Sequence, residues 1–161
     1  MDLQAFRMPR YREIPNVGLF LEQTVKYVNT ALEPLGCIEI TPSMVSNYVK
    51  KRYIKGPEKK QYDQVSMAQL LFAAVAKSVI SMDNIRTMLE MQDEKYPIDV
   101  AYNRFCDLLE SALEAGDAGL AEEPVQDDEA EQDHLDTMLN HVVIASVQII
   151  RLHDCFEGLE G

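Results

Sequence analysis

The sequence has no apolar run long enough to cross a membrane. Its longest uninterrupted apolar stretch, 70–76, ends at Lys77 and falls far short of the roughly 20 residues that a membrane-spanning helix needs. The first residues also lack a basic region followed by an apolar run and a cleavage site, the marks of a secretory signal. We therefore expect a cytoplasmic protein without a membrane partner.

Cysteines are few, and common catalytic patterns are missing. The three cysteines, Cys37, Cys106 and Cys155, form no C-x-x-C pair, and their odd number favours reduced thiols over a disulfide framework. The chain has no G-x-S-x-G turn, no phosphate-binding glycine loop and no H-E-x-x-H helix. The paired carboxylates Asp127 and Asp128 lie in a segment expected to be a solvated tether. We therefore expect no enzymatic activity.

Positive charge is also scarce, because the chain has 15 Lys and Arg but 27 Asp and Glu, which gives a net charge of −12. That balance by itself argues against nucleic acid as a partner, since phosphate binding requires a basic surface. The distribution along the chain changes this interpretation. Residues 1–62 hold 10 basic and 6 acidic side chains, whereas residues 63–161 hold 5 and 21. The two parts are therefore expected to face different partners.

Apolar residues recur at helical spacing through most of the chain. Thr41 followed by Pro42 is typical of a helix start, because the threonine can accept a bond from an early amide and proline suits the first turn. The predicted helices begin near Leu19, Pro42, Asp63 or Ser66, Ser81, Pro97 and Leu135.

The pair Gly56-Pro57 interrupts the helical pattern after the second helix. The segment 59–62 could then pair back against Tyr53-Ile54 as a small hairpin, which would form a wing. The order helix, helix, wing, helix, helix predicts a mainly α fold with a winged helix-turn-helix core, a small β wing and a C-terminal helical extension.

The second helix and the predicted wing carry most of the basic charge, because residues 41–62 contain six basic side chains and one acidic, Glu58. Small polar residues would let this helix enter a DNA major groove about 12 Å wide, with Asn47 on base edges and the lysines on phosphates. An ordinary solvated helix face is the alternative interpretation. The candidate DNA-binding residues, including two from the N-terminal arm, are Ser43, Ser46, Asn47, Tyr48, Lys50, Lys51, Arg52, Lys55, Lys59, Lys60, Tyr62, Arg10 and Arg12.

Residues 41–62, together with 80–85, resemble the winged helix-turn-helix of MerR-type regulators. Tyr48 matches the tyrosine of that family's recognition helix, and Lys60-Gln61-Tyr62 matches part of its arginine-x-tyrosine wing motif. The sequence has Ser46 where the family usually presents an arginine, and Arg52-Tyr53-Ile54 in place of its glycine-leucine turn.

Three groups of motifs in about the first two thirds of the chain carry a closer resemblance. They are Met8-Pro9-Arg10-Tyr11 with Ile14-Pro15, Thr41-Pro42-Ser43-Met44 with Asn47-Tyr48-Val49-Lys50-Lys51, and Pro57-Glu58-Lys59-Lys60 with Tyr62. With these motifs the chain resembles an uncharacterised bacterial family, domain of unknown function 1836. Membership implies a MerR-like DNA-binding core and names no biological role or effector.

The histidines His134, His141 and His153 do not have the three- or four-residue spacing that would aim two ligands from one helix at a metal. MerR relatives that sense metals use cysteines near their dimer helix, so Cys106 and Cys155 are the candidates for such a role. Otherwise we expect no metal site and no cofactor.

These observations divide the chain into an arm (1–17), a winged helix-turn-helix-like domain (18–95), an acidic flexible linker (116–134) and C-terminal dimerisation helices (96–115 and 135–157). The linker is predicted because its carboxylates have no opposing charge and its ordering entropy is not offset. A homodimer is predicted because the last helix has more apolar residues than one partner helix would cover. Those residues are Val142, Val143, Ile149, Ile150 and Phe156.

The leading hypothesis is a dimeric, sequence-specific transcriptional regulator that binds double-stranded DNA, with no effector identified. The second helix would read the groove, while the wing and the arm would hold phosphates. The alternative is a non-enzymatic protein-interaction module that keeps the helix-turn-helix shape without binding DNA. Salt dependence separates the two, because DNA binding weakens steeply with salt and a packed apolar interface does not.

Overall fold

The computed structural model describes residues 2–116 and 134–160. The described chain is mainly helical, as predicted, and none of its helices is both long enough and apolar enough to cross a membrane. Apart from its end residues Gly116 and His134, the predicted acidic linker lies outside the described residues. The α-helices are α1 (Leu21–Leu32), α2 (Pro42–Lys50), α3 (Gln64–Ala76), α4 (Met82–Lys95), α5 (Ile98–Glu114) and α6 (His134–Glu160).

Three of the helices begin where local capping chemistry predicts. The hydroxyl of Thr41 accepts a hydrogen bond from the Met44 amide at 3.1 Å, and the hydroxyl of Ser81 accepts one from the Asn84 amide at 3.1 Å. Asp63, rather than Ser66, caps α3 by the same arrangement at 2.9 Å. These starts depend on residues only three positions apart, so the sequence determines them.

The helix α3 lies at the centre of the fold, where every residue from Ser66 to Ala76 is buried. It is apolar over its whole circumference, so it needs neighbours on all sides. The helices α1, α4, α5 and α6 supply them. The other helices are therefore arranged as a layer around α3.

The helix α6 uses much of its apolar surface inside the chain, which corrects the assignment of three of its residues to a dimer interface. Val142, Val143 and Ile150 are buried, and the hydroxyl of Ser146 donates to the carbonyl of Val75 on α3 at 3.5 Å. Because α6 packs on α3, α4 and α5 together, more of it is covered than one partner helix would cover. These three residues are therefore unavailable to a second subunit.

The N-terminal arm is docked along α5. The Tyr102 hydroxyl donates to the carbonyl of Pro9 at 2.7 Å, and the Tyr11 amide donates to the side chain of Asn103 at 2.9 Å. Phe6 and Ile14 are buried in the core. The arm is therefore part of the packed structure.

Glu110 of α5 binds this arm through hydrogen bonds and ion pairs. Its carboxylate accepts a hydrogen bond from the Met8 amide at 2.9 Å and forms ion pairs with Arg10 and Arg7. Burial by itself would raise the pKa of Glu110, but the hydrogen bonds from Arg10 and Met8 and the nearby positive charges outweigh it, so the pKa lies below its ordinary value. Arg10 also pairs with Asp107. Its guanidinium is therefore used within the fold, not presented to phosphate.

The predicted hairpin between Tyr53-Ile54 and 59–62 is not formed, and the described residues contain isolated bridges rather than a sheet. Ile54 is buried, and the amide and carbonyl of Lys55 are bonded to Gln69 and Ser66 of α3. The backbone at 53–55 is therefore occupied and cannot serve as a strand edge. Tyr62 instead exchanges two backbone hydrogen bonds with Leu19, at 2.7 and 3.1 Å.

We expect Glu110→Gln to lower the free energy of unfolding by about 1.5–3 kcal/mol at neutral pH, the usual contribution of hydrogen bonds to a charged group. Because the pKa of Glu110 is lowered in the fold, this contribution is present above its ordinary value of 4.5 and is lost as the pH falls through the folded value. Urea unfolding at pH 7 and near pH 3 measures both effects. The control is Asp107→Asn, an exposed partner of the same Arg10, which should cost less than about 1 kcal/mol. Equal midpoints for parent and Glu110→Gln at pH 7 would contradict this account.

Candidate functional site

The turn between α1 and α2 is held by one amide side chain. Asn29 of α1 donates to the carbonyl of Ile40 and accepts from its amide, both at 2.9 Å. Gly36 lies in the left-handed region at φ 83°, which lets the chain reverse direction after α1. Because Ile40 directly precedes the capping residue Thr41, the two bonds to Asn29 fix where α2 begins.

The helix α2 has one buried and one exposed side, as its sequence predicts. Val45 and Tyr48 are buried in the core, and burial raises the pKa of the Tyr48 hydroxyl. With only 6% of its surface exposed, Tyr48 is a packing residue and lies outside the accessible site. The exposed side carries Ser43, Ser46, Asn47 and Lys50.

The C-terminus of α2 closes with a Schellman motif. The Tyr53 amide donates to the carbonyl of Tyr48 at 2.9 Å, and the Arg52 amide donates to that of Val49 at 3.0 Å. This geometry requires Arg52 to adopt a left-handed conformation, at φ 60°. Glycine is the usual residue at that position, because a Cβ atom disfavours the conformation.

Arg86 of α4 contacts the C-terminal end of α2. Its guanidinium donates to the carbonyl of Lys51 at 3.3 Å, pairs with Asp83 at 3.0 Å and lies 5.2 Å from the centre of the Tyr53 ring. Nothing in the sequence distinguishes this arginine, since only the tertiary structure brings α4 against the end of α2. Its charge is largely used in this contact.

The segment after α2 is fastened to α3, and one of its lysines is neutralised there. Lys55 forms an ion pair with Asp63, and the hydrogen bond that its ammonium donates to the Asp63 carboxylate is the main reason that the pKa of Lys55 is raised. Gly56 lies directly against Val49, because a Cβ atom built on it would be 3.0 Å from a Val49 methyl carbon. The next turn is therefore held beside α2.

That turn, Glu58 to Gln61, is closed by two backbone hydrogen bonds of 3.0 and 2.9 Å. Lys59 and Lys60 occupy its centre at φ 49° and 65°, the left-handed pair of angles found in a type I′ turn. Their side chains are exposed. The following Tyr62 is 4% exposed and belongs to the core.

The residues predicted to bind DNA therefore separate into two groups. Tyr48 and Tyr62 are buried, Arg10 and Lys55 are paired with carboxylates, and Arg12 is exposed on the arm, in a turn that packs on α5. We call the remaining exposed set, on α2 and the adjacent turn, the basic face. It consists of Ser43, Ser46, Asn47, Lys50, Lys51, Arg52, Lys59 and Lys60.

The five cations of the basic face have no carboxylate partner at ion-pair distance in the part of the chain that the structure describes. Among the other arginines of the described residues some are paired, as Arg104 is with Asp136, and others, Arg12 and Arg151, have no carboxylate at ion-pair distance. The basic face is therefore a local concentration of uncompensated positive charge.

The cysteines named for a sensing role lie apart from this face. Cys106 is fully buried on α5, and burial is the main reason that the pKa of its thiol is raised to about 12. Cys155 is exposed near the end of α6. Across residues 2–116 and 134–160, no three histidine, cysteine or carboxylate side chains converge in a way that could hold a metal ion.

Comparison with family models matches residues 9–105 to the family described as Domain of unknown function (DUF1836). The match extends from the docked arm through α4 into the first half of α5, so it includes the whole basic face. No curated protein and no solved structure matches the chain.

We expect Asn29→Ala to lower the free energy of unfolding by about 1–3 kcal/mol, because it leaves the buried amide and carbonyl of Ile40 without their partners. Thr30→Ala, at the next and exposed position of α1, is the control and should change stability by less than about 0.5 kcal/mol. Urea denaturation of both variants checks this. Equal stability of the two would show that the amide does not hold the turn.

Proposed function

This chain belongs to the family of the domain of unknown function 1836, and we propose that it is a non-enzymatic transcriptional regulator that binds double-stranded DNA through its basic face. The family description assigns no activity. The proposal therefore depends on the chemistry of the residues themselves, and it involves no cofactor.

The observation that carries the proposal is the set of five adjacent cations that have no carboxylate partner among the described residues, on a chain with a net charge of −12. Carboxylates are plentiful, and Arg7, Arg10 and Lys55 all find one. Positive charges left unpaired and adjacent repel each other, so they favour an external polyanion. The phosphates of duplex DNA provide such a partner. When cations of a protein bind these phosphates, the counterions condensed on the DNA are released, and this release drives binding.

The dimensions and chemistry of α2 suit a major groove. The helix has nine residues, so it is about 13 Å long, and only small or flexible side chains project from its exposed side. Asn47 lies there with an amide that can donate to and accept from an adenine edge. Ser43 and Ser46 are small enough to allow close approach. Sequence readout would therefore come from this face, and phosphate contacts from the lysines.

We propose that α1 and α2 form the helix-turn-helix unit of a MerR-like arrangement. The turn Glu58 to Gln61 would take the place of a wing, because it lies beside α2 and presents Lys59 and Lys60. A tight turn held against the helix performs the task of a wing without a sheet.

We further propose that the protein acts as a dimer, through a part of α6 that the core leaves uncovered. Leu152, Phe156 and Leu159 are 58%, 61% and 81% exposed, and Ile149 lies on the same side. The spacings of three, four and three residues keep these side chains within about 80° of the helix circumference, the pattern of a two-helix seam. A second copy would cover the stripe and present two reading helices to a symmetric site.

The alternative is a protein-interaction module without DNA binding. The overall negative charge and the exposed stripe on α6 favour it, because both suit a protein partner. The basic face has no evident role in that alternative. DNA binding is therefore the function to test first.

We expect the protein to bind duplex DNA with an affinity that falls steeply with salt. Lys51→Ala and Lys60→Ala should each weaken binding to every sequence and reduce the slope of log affinity against log salt by about one. Asn47→Ala should cost about 1–3 kcal/mol on the preferred site and leave non-specific binding nearly unchanged. Fluorescence anisotropy at several salt concentrations measures all three.

The control is Lys95→Ala, which removes an exposed positive charge nine residues along α4 from Arg86, about 13 Å along the helix axis. It should bind like the parent. If the parent binds no duplex even at low salt, or if all the variants bind equally, the interaction module becomes the better account.

We expect the double variant Leu152→Glu, Phe156→Glu to be a folded monomer, because both side chains are exposed and only an interface would need them apolar. Ile144→Glu is a control, since Ile144 is also exposed but lies about 100° around α6 from the stripe. Val143→Asp should unfold the chain, since Val143 is buried. Sedimentation velocity with circular dichroism separates these results. A parent that sediments as a monomer at micromolar concentration would exclude the dimer.

A further inference from the structure

Three non-glycine residues of the described chain have left-handed backbone angles, and all three are basic. They are Arg52 at φ 60°, Lys59 at φ 49° and Lys60 at φ 65°. All three belong to the basic face, where they mark the end of α2 and the turn beside it. A disfavoured backbone conformation and uncompensated charge therefore coincide at the same positions.

Other residue types would suit these backbone positions better. Glycine is the common residue in the left-handed position of a Schellman motif, which Arg52 occupies. Asparagine followed by glycine is preferred at the two central positions of a type I′ turn, which Lys59 and Lys60 occupy. Strain of this kind is typical of functional sites, where something other than stability determines the residue.

The charges contribute little to the fold at these positions. Arg52 follows the C-terminus of α2, where a cation is mildly favourable, but Lys50 and Lys51 already supply two. Lys60 lies beside the first turn of α1, where the helix dipole disfavours a cation. Neither Lys59 nor Lys60 has a carboxylate partner among the described residues. Nothing in the fold therefore accounts for three cations in this conformation.

The surroundings hold the backbone that carries Lys59 and Lys60 in place. The turn is closed by its two hydrogen bonds and continues into the pair that Tyr62 forms with Leu19. A Cβ atom on Gly18 would lie 2.4 Å from the Gln61 side chain, so the turn packs closely against the chain before α1. A turn fixed in advance loses less entropy when it binds a ligand.

We propose that Arg52, Lys59 and Lys60 form a phosphate clamp that positions the duplex along α2, and that the fold sacrifices stability to keep positive charge at these strained positions. This inference rests on the proposed DNA binding and adds to it a defined set of backbone contacts. It also makes a claim about stability that can be measured without DNA.

The test compares Arg52→Gly and the double variant Lys59→Asn, Lys60→Gly with the parent, as full-length chains. Each variant should raise Tm, by about 2–4 °C for each kcal/mol of strain removed in a chain of this size. On a labelled mixed-sequence duplex, Arg52→Gly should lower the salt slope by about one and the double variant by about two. A gain in stability and a loss of affinity are thus expected in the same proteins.

Two controls separate charge from backbone conformation. Lys50→Gln removes a charge from ordinary helical backbone, so it should lower the salt slope and leave Tm nearly unchanged. Lys95→Gln, away from the basic face, should leave the salt slope unchanged.

Each outcome decides the matter. If the parent binds DNA and the glycine variants bind equally well, the clamp is wrong while the proposed function stands. If the variants lose affinity but gain no stability, the claim of retained strain is wrong. If the parent binds no duplex at low salt, the proposed function fails, and the clamp fails with it.

Discussion

The complete burial of α3 is the constraint on which the rest of the structure depends. A helix that is apolar all round must be enclosed, and α1, α4, α5 and α6 enclose it. Two of its buried residues are polar, and they are used: Gln69 and Ser66 bind the backbone of Lys55. The central helix thereby holds the segment that follows α2, and the position of the basic face is a consequence of core packing.

Electrostatics then sorts the positive charges into two classes. One class has a carboxylate partner, and two of its members lie in the arm: Arg7 and Arg10 both pair with Glu110, Arg10 across a separation of 100 residues. These pairs fasten the arm to α5 and are partly shielded from water, so they contribute to stability. Within residues 2–116 and 134–160, the cations of the basic face have no carboxylate partner at ion-pair distance. They are distinguished from the paired class by their surroundings, because the same residue types occur in both.

The helix α6 shows how one element can serve two purposes. Its first five turns bury Val142, Val143 and Ile150 against the core, and its last turns leave Leu152 and Phe156 exposed. The presence of apolar residues by itself does not distinguish these roles, since both stretches contain them. The distinction comes from the tertiary structure, in which the core covers apolar side chains of the first stretch and leaves those of the second exposed.

The sequence by itself determined what local chemistry controls. Residues a few positions apart determine the capping by Thr41 and Ser81. They also determine the buried and exposed sides of α2 and the clustering of positive charge in 41–62. Only the tertiary structure decided the rest. Tyr48 and Tyr62 are buried and serve as packing residues. Arg10 pairs with Glu110, and α3 binds the 53–55 backbone, which therefore forms no hairpin. Each of these contacts joins residues that are distant in the chain. Periodicity and spacing show which side of an element is apolar, but they do not show which distant element will cover it.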